Sequence, residues 1–184
     1  RRHFELLISE LHNQSEQMNF RHLYGKELST HIWEKFGKKC FNCEKHINSA
    51  QEMNLDHTRP LALLWPLDGT ATCLCKDCNS EKRDRYPSDF YSDDKLIELS
   101  KLTDIPLDSL RSPTPNLKIL AELIERSDWL IEDFLNKDFL LKEKEGKISS
   151  ELICKALDRV ISQSIYKDDN FSFLKIWQDY HNGS

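Results

Sequence analysis

No stretch of this 184-residue chain approaches the ~18 consecutive apolar residues that a membrane-crossing helix needs, which excludes a helical membrane protein. No basic-then-apolar leader opens it, so a secretory address is not legible and a cytoplasmic protein is expected. Because the first residue is Arg1 and not Met, a fragment or a processed form is expected. Internal repeats and low-complexity tracts are also missing, which excludes solenoid and linker-type architectures. Positive charge is scarce as well: 26 Lys and Arg face 31 Asp and Glu, for a net charge of −5. Taken whole, that balance argues against a polyanionic partner.

The distribution softens the last exclusion. Residues 38–86 hold 8 basic against 7 acidic side chains, whereas residues 87–184 hold 13 against 19. Any nucleic acid is therefore expected to meet the first half. The acidic second half is expected to face solvent or another protein chain, and a symmetric homodimer is compatible with it. A composition 39% hydrophobic and 31% charged reads as soluble and globular. The length suits one medium domain, or a small module with a helical extension.

Three regions emerge along the chain. In residues 1–37, Phe4, Leu7, Ile8 and Leu11 recur at helical spacing, as do Leu28, Ile32, Trp33 and Phe36, with Gly37 as a C-terminal cap. Residues 38–91 break that rhythm and read as knuckle, strand, loop, strand, knuckle, helix, ending at Pro87. Residues 92–184 return to helical spacing. Ser92 is expected to cap the first helix there, and Ser112–Asn116 reads as a stiff proline-bearing linker. Leu117 to Phe134 reads as one long helix. A second, capped by Ser149 or Ser150, carries Leu152 to Ile161, and Phe171, Leu174 and Trp177 close the chain with a last one.

Six cysteines without a secretory leader point to metal or core roles and away from a disulfide scaffold. Spacing decides between those roles. Cys40-x-x-Cys43 and Cys75-x-x-Cys78, separated by 31 residues, offer two thiolate pairs on tight turns, the tetrahedral sulfur cage that structural Zn²⁺ prefers. Four thiolates leave no open coordination position, so this metal is expected to be structural. Cys73 and Cys154 read as core thiols, and His46 as an exposed loop histidine.

Between the knuckles lies Leu55-Asp56-His57-Thr58-Arg59-Pro60, and Asn79 follows the last thiolate in Cys75-Lys-Asp-Cys78-Asn79-Ser-Glu-Lys82. This pattern resembles the zinc-stapled HNH, or ββα-metal, endonuclease family. The run Arg85–Tyr91 is similar to HNH-type restriction endonucleases, and Asn directly after the fourth cysteine also occurs in a phage endonuclease of the family. The resemblance covers residues 40–91. It implies an α+β fold: a small zinc-bound ββα-metal module flanked by mostly α-helical N- and C-terminal regions.

The resemblance also implies a chemistry. A phosphodiester is an anion that repels nucleophiles, so hydrolysis needs an activated water and a counter-charge. Histidine, with an ordinary pKa near ~6.5, suits the general base, which assigns that role to His57. Asp56 and Asn79 would hold a catalytic Mg²⁺ or Mn²⁺ through oxygen. The family's middle Asn, which orients the catalytic His, is replaced here by Thr70 with Asp68 close by; either offers an acceptor. Lys82, Arg83 and Arg85 read either as phosphate contacts or as a solvated face paired with Glu81 and Asp84, and Arg59 is a further candidate. The expected partner is double-stranded DNA and the expected activity a type II restriction-like cleavage, in a bacterial or phage setting. A Holliday-junction resolvase, a homing or nicking enzyme, and a non-catalytic zinc module that binds nucleic acid or protein are the alternatives.

Overall fold

The computed structural model describes residues 2–14 and 27–183, so residues 15–26 of the expected N-terminal helical region lie outside it. It is helix-rich with one small antiparallel sheet. In order run α1 (Arg2–Gln14), α2 (Leu28–Lys35), β1 (Asn54–Asp56), β2 (Thr72–Leu74), α3 (Lys76–Lys82), α4 (Asp93–Thr103), α5 (Leu107–Arg111), α6 (Leu117–Glu125), α7 (Asp138–Leu141), α8 (Ser149–Ser162) and α9 (Phe173–Asn182). Short 3₁₀ turns at Leu61–Leu63 and Pro87–Asp89 and a π-helical turn at Trp129–Phe134 complete the list. Among the described residues no helix is long and apolar enough to cross a membrane.

The chain divides into two compact units, one of Ser9–Leu61 and Trp65–Pro113, the other of Arg1–Ile8, Ala62–Leu64 and Thr114–Ser184. Residues 92–113, read from the sequence with the C-terminal helices, therefore cluster with the cysteine module. The reason is apolar packing. Leu96 and Leu99 of α4, Ile105 and Leu110 join Leu28, Ile32 and Phe36 of α2 and Phe41, Ile47, Cys73 and Leu74 in one buried cluster. Each such leucine contributes roughly 1.5–3 kcal/mol on leaving water.

Local chemistry sets where these helices start and stop. After α2, Gly37 takes a φ of 63° and its N–H bonds to Glu34 O, the cap that the sequence suggests. Ser92 caps α4 by accepting from Lys95 N. On β1 and β2, Asn54, Leu55 and Asp56 pair with Leu74, Cys73 and Thr72 in turn.

In the other unit, Asn116 caps α6 by accepting from Ile119 N. The single long helix expected from Leu117 to Phe134 is interrupted at Arg126, and beyond it Leu135 N reaches back five residues to Leu130 O in the π turn. Neither Ser149 nor Ser150 caps α8. Ile148 holds that position, and the buried Ser150 hydroxyl donates instead to Leu135 O at 2.6 Å. Asp158 of α8 receives the Ser172 hydroxyl and the N–H groups of Phe173 and Leu174, tying the start of α9 to α8.

Candidate functional site

The four cysteines converge because two turns bring them together. In the first knuckle Cys40 N–H donates to Lys45 O and Glu44 N–H returns to Cys40 O, with Glu44 in the left-handed region at φ 61°. Lys39 and His46 close the hairpin as an antiparallel bridge. One hydrogen bond, Phe41 N–H to Cys73 O, fastens this knuckle to β2. The second knuckle follows β2 directly: Cys75 caps α3 and Cys78 lies in its first turn.

The Sγ atoms of Cys40, Cys43, Cys75 and Cys78 all lie within 4.8 Å of one another, and those of Cys43 and Cys75 are 3.9 Å apart. A Zn²⁺ bound at ~2.3 Å to each of four sulfurs spaces them by about 3.8 Å, so the donor set fits a tetrahedral metal. All four are free thiols. Burial works to raise the Cys75 thiol, but the Cys78 N–H and neighbouring thiols outweigh it and leave it below its ordinary value. The Asn42 side-chain amide reaches Cys78 Sγ at 3.5 Å. Cys73 and Cys154 lie outside the cluster, buried on β2 and α8, and burial pushes each thiol up to about 12. His46 is exposed and also outside it.

Beside the cage, β1 ends at Asp56 and the chain passes through His57 to Thr58, all three buried. Asp56 is 2% exposed and His57 6%. Their neighbours hold this exit on both sides. Lys82 of α3 places its ammonium 2.7 Å from Asp56 Oδ2 and donates to His57 O at 3.0 Å. On the far side the Thr58 hydroxyl bonds with Thr70 O and with the hydroxyl of Thr72 on β2. Asp68 Oδ1 accepts from the N–H and hydroxyl of Thr70, so Asp68 and Thr70 hold the chain at Thr58, one residue past His57. Nothing in the local sequence marked Thr58 and Thr72 for this positioning role.

Helix α3 explains why Lys82 is here. Positions 75, 78, 79 and 82 fall on one helical face, and the cysteines turn that face inward. Lys82, expected with Arg83 and Arg85 on an exposed basic face, therefore follows Cys78 into the interior, where it is 1% exposed. Asn79 shares the stripe one turn before Lys82 and is partly exposed. Arg85 is committed elsewhere: it donates to Glu81 O and Lys82 O and lies over the Phe90 ring. Arg83 remains exposed at the helix end, bonded to Ser80 O at 3.3 Å.

Two further side chains complete the surroundings. The Tyr91 hydroxyl is buried with no hydrogen-bond partner among the described residues. Burial, then the charges of Asp56 and the cage thiols, pushes its pKa well up. Arg59 stacks over Trp65 at 3.1 Å from the ring centroid, and burial lowers its pKa to about 10, which still leaves it charged at neutral pH.

The Asp56 carboxylate takes its counter-charge from the Lys82 ammonium, so a metal ion at that carboxylate would compete with the ammonium for the same oxygen. No protein-family model, curated protein or solved structure matches this chain.

Proposed function

We propose that this chain is a metal-dependent DNA endonuclease of the zinc-stapled ββα-metal kind, acting on double-stranded DNA in a type II restriction-like manner. The observation that carries the reading is the contact of α3 with the end of β1. Through Lys82 and Asp56, the helix face bearing Asn79 meets the Asp56–His57 strand exit beside a four-cysteine cage. Zn²⁺ in that cage is structural, since four thiolates complete its coordination.

In this reading His57 takes the proton of an attacking water. The water oxygen forms a bond to phosphorus, the bond from phosphorus to the 3′ oxygen breaks, and the electron pair leaves with that oxygen, which then gains a proton from solvent. Mg²⁺ or Mn²⁺ held by Asp56 and Asn79 supplies positive charge against the phosphate when bound. Thr58, held to Thr70 and Thr72, keeps the His57 backbone in place while this happens. His57 is buried without being sealed, with 6% of its surface in solvent.

One observation favours a second reading. Lys82 neutralises Asp56 from within the chain, as a purely structural ion pair does, so a non-catalytic zinc module that binds nucleic acid or protein is the alternative. Incubation of supercoiled plasmid with the zinc-loaded chain and Mg²⁺ separates the two. The endonuclease reading expects nicked or linear product that depends on added Mg²⁺ or Mn²⁺. Mapping the ends then distinguishes a restriction-like cut from nicking, homing or junction-resolving cleavage. Intact plasmid across both ions favours the binding module.

A further inference from the structure

We propose that Lys82 is the resident cation of the Asp56 site and must leave before a divalent ion can be held there. The Asp56–Lys82 pair would thereby set the divalent-ion threshold of the module. This inference rests on the endonuclease reading and concerns only what governs entry of the ion.

Burial of Asp56 sets the requirement. A carboxylate 2% exposed needs a counter-charge, because an isolated buried ion is strongly disfavoured. Lys82, one of the largest fully buried side chains in the chain, supplies it. Its ammonium bridges the two residues assigned to metal and proton, lying 2.7 Å from Asp56 Oδ2 and 3.0 Å from His57 O. A divalent ion on Asp56 would sit beside that ammonium, and two positive charges in so little solvent repel strongly. One of them has to go.

Lys82 is built to be the one that goes. It is the last residue of α3, and the chain leaves the helix immediately through Arg83 at φ 52°. Helix ends open at low cost compared with helix centres. The Tyr91 hydroxyl is buried without a hydrogen-bond partner among the described residues, and the Asp56 charge adds to the burial that pushes its pKa up. Once released at the end of α3, the ammonium is free to meet a phosphate.

The test uses the whole zinc-loaded chain and Mn²⁺ as the probe. Mn²⁺ binding is followed by the electron paramagnetic resonance of the free ion, in wild type, Asp56→Asn and Lys82→Met. In parallel, wild-type lysines are acetylated with and without Mn²⁺ and read by peptide mass spectrometry, with exposed Lys76 as internal reference. Without Mn²⁺, Lys82 is expected to label at least ~10-fold more slowly than Lys76, and with saturating Mn²⁺ to approach it. Lys82→Met is expected to bind Mn²⁺ at least ~10-fold more tightly than wild type, and Asp56→Asn to lose the site. Should Lys82→Met not fold, the wild-type labelling decides alone. Asp56-dependent Mn²⁺ binding with Lys82 still protected overturns the inference and leaves the endonuclease reading standing. Absence of Asp56-dependent Mn²⁺ binding overturns it too, and metal-dependent plasmid cleavage by wild type then shows separately whether the endonuclease reading survives.

Discussion

Lys82 and Asp56 form an ion pair buried on both sides, joining the last residue of α3 to the last residue of β1. Taking either partner away strands the other charge in the interior. Lys82→Met in zinc-loaded protein without other divalent ions is therefore expected to lose about 3–5 kcal/mol in urea unfolding. The double change Asp56→Leu with Lys82→Met removes both charges and is expected to recover most of that loss. A Lys82→Met protein as stable as wild type would show that the pair is not closed in solution.

The cage makes a separate prediction. One Zn²⁺ per chain is expected by elemental analysis of protein purified without chelators. Cys75→Ala leaves three thiolates, so it should lose the metal and the order of the module together. Full metal content in Cys75→Ala, with unchanged circular dichroism, would place the ion elsewhere.

Arg83 and Arg85 should behave differently towards DNA. Arg85 is held by Glu81 O, Lys82 O and the Phe90 ring, whereas Arg83, exposed at the helix end, is held more weakly, by Ser80 O at 3.3 Å. Arg83→Ala is expected to weaken duplex binding across sequences and reduce the salt slope by about one. Arg85→Ala should leave the slope unchanged and cost stability instead. Fluorescence anisotropy over a salt series reads both, and the reverse order of effects would contradict the assignment.

In the helical unit, Asp158 satisfies Ser172, Phe173 N and Leu174 N at once. Asp158→Ala should cost about 1–2 kcal/mol by removing those bonds from α8 to the start of α9, with faster amide exchange at Phe173 and Leu174. Unaltered exchange at Phe173 and Leu174 would refute this role.

The cysteine cluster was legible in the sequence because metal-ligand chemistry imposes its spacing on the chain directly. The cap at Ser92 and the Gly37 stop were legible for a like reason: each depends on a few neighbouring residues. Lys82 was not, although a signal existed. It sits one helical turn after Cys78, so a cysteine turned inward carries the lysine with it, yet its basic neighbours Arg83 and Arg85 suggest an exposed face. Thr58 and Thr72 act across the sheet, and their meeting depends on the β1–β2 register, which short strands do not announce. The break at Arg126 is likewise hidden, since both halves keep helical apolar spacing. Residues 92–113 join the cysteine unit through apolar contacts made far from their own stretch of chain.

The central claim is that His57 activates water, and the rate of plasmid cleavage by His57→Ala tests it most directly. The protein should keep its zinc and its DNA affinity, because the imidazole is not a cage ligand. Its cleavage rate should fall by ~10²–10⁴-fold relative to wild type. The wild-type rate should drop as acid protonates the imidazole, and that acid limb should vanish in the mutant. A folded, zinc-loaded His57→Ala chain that cleaves at the wild-type rate with the same acid limb would contradict the account.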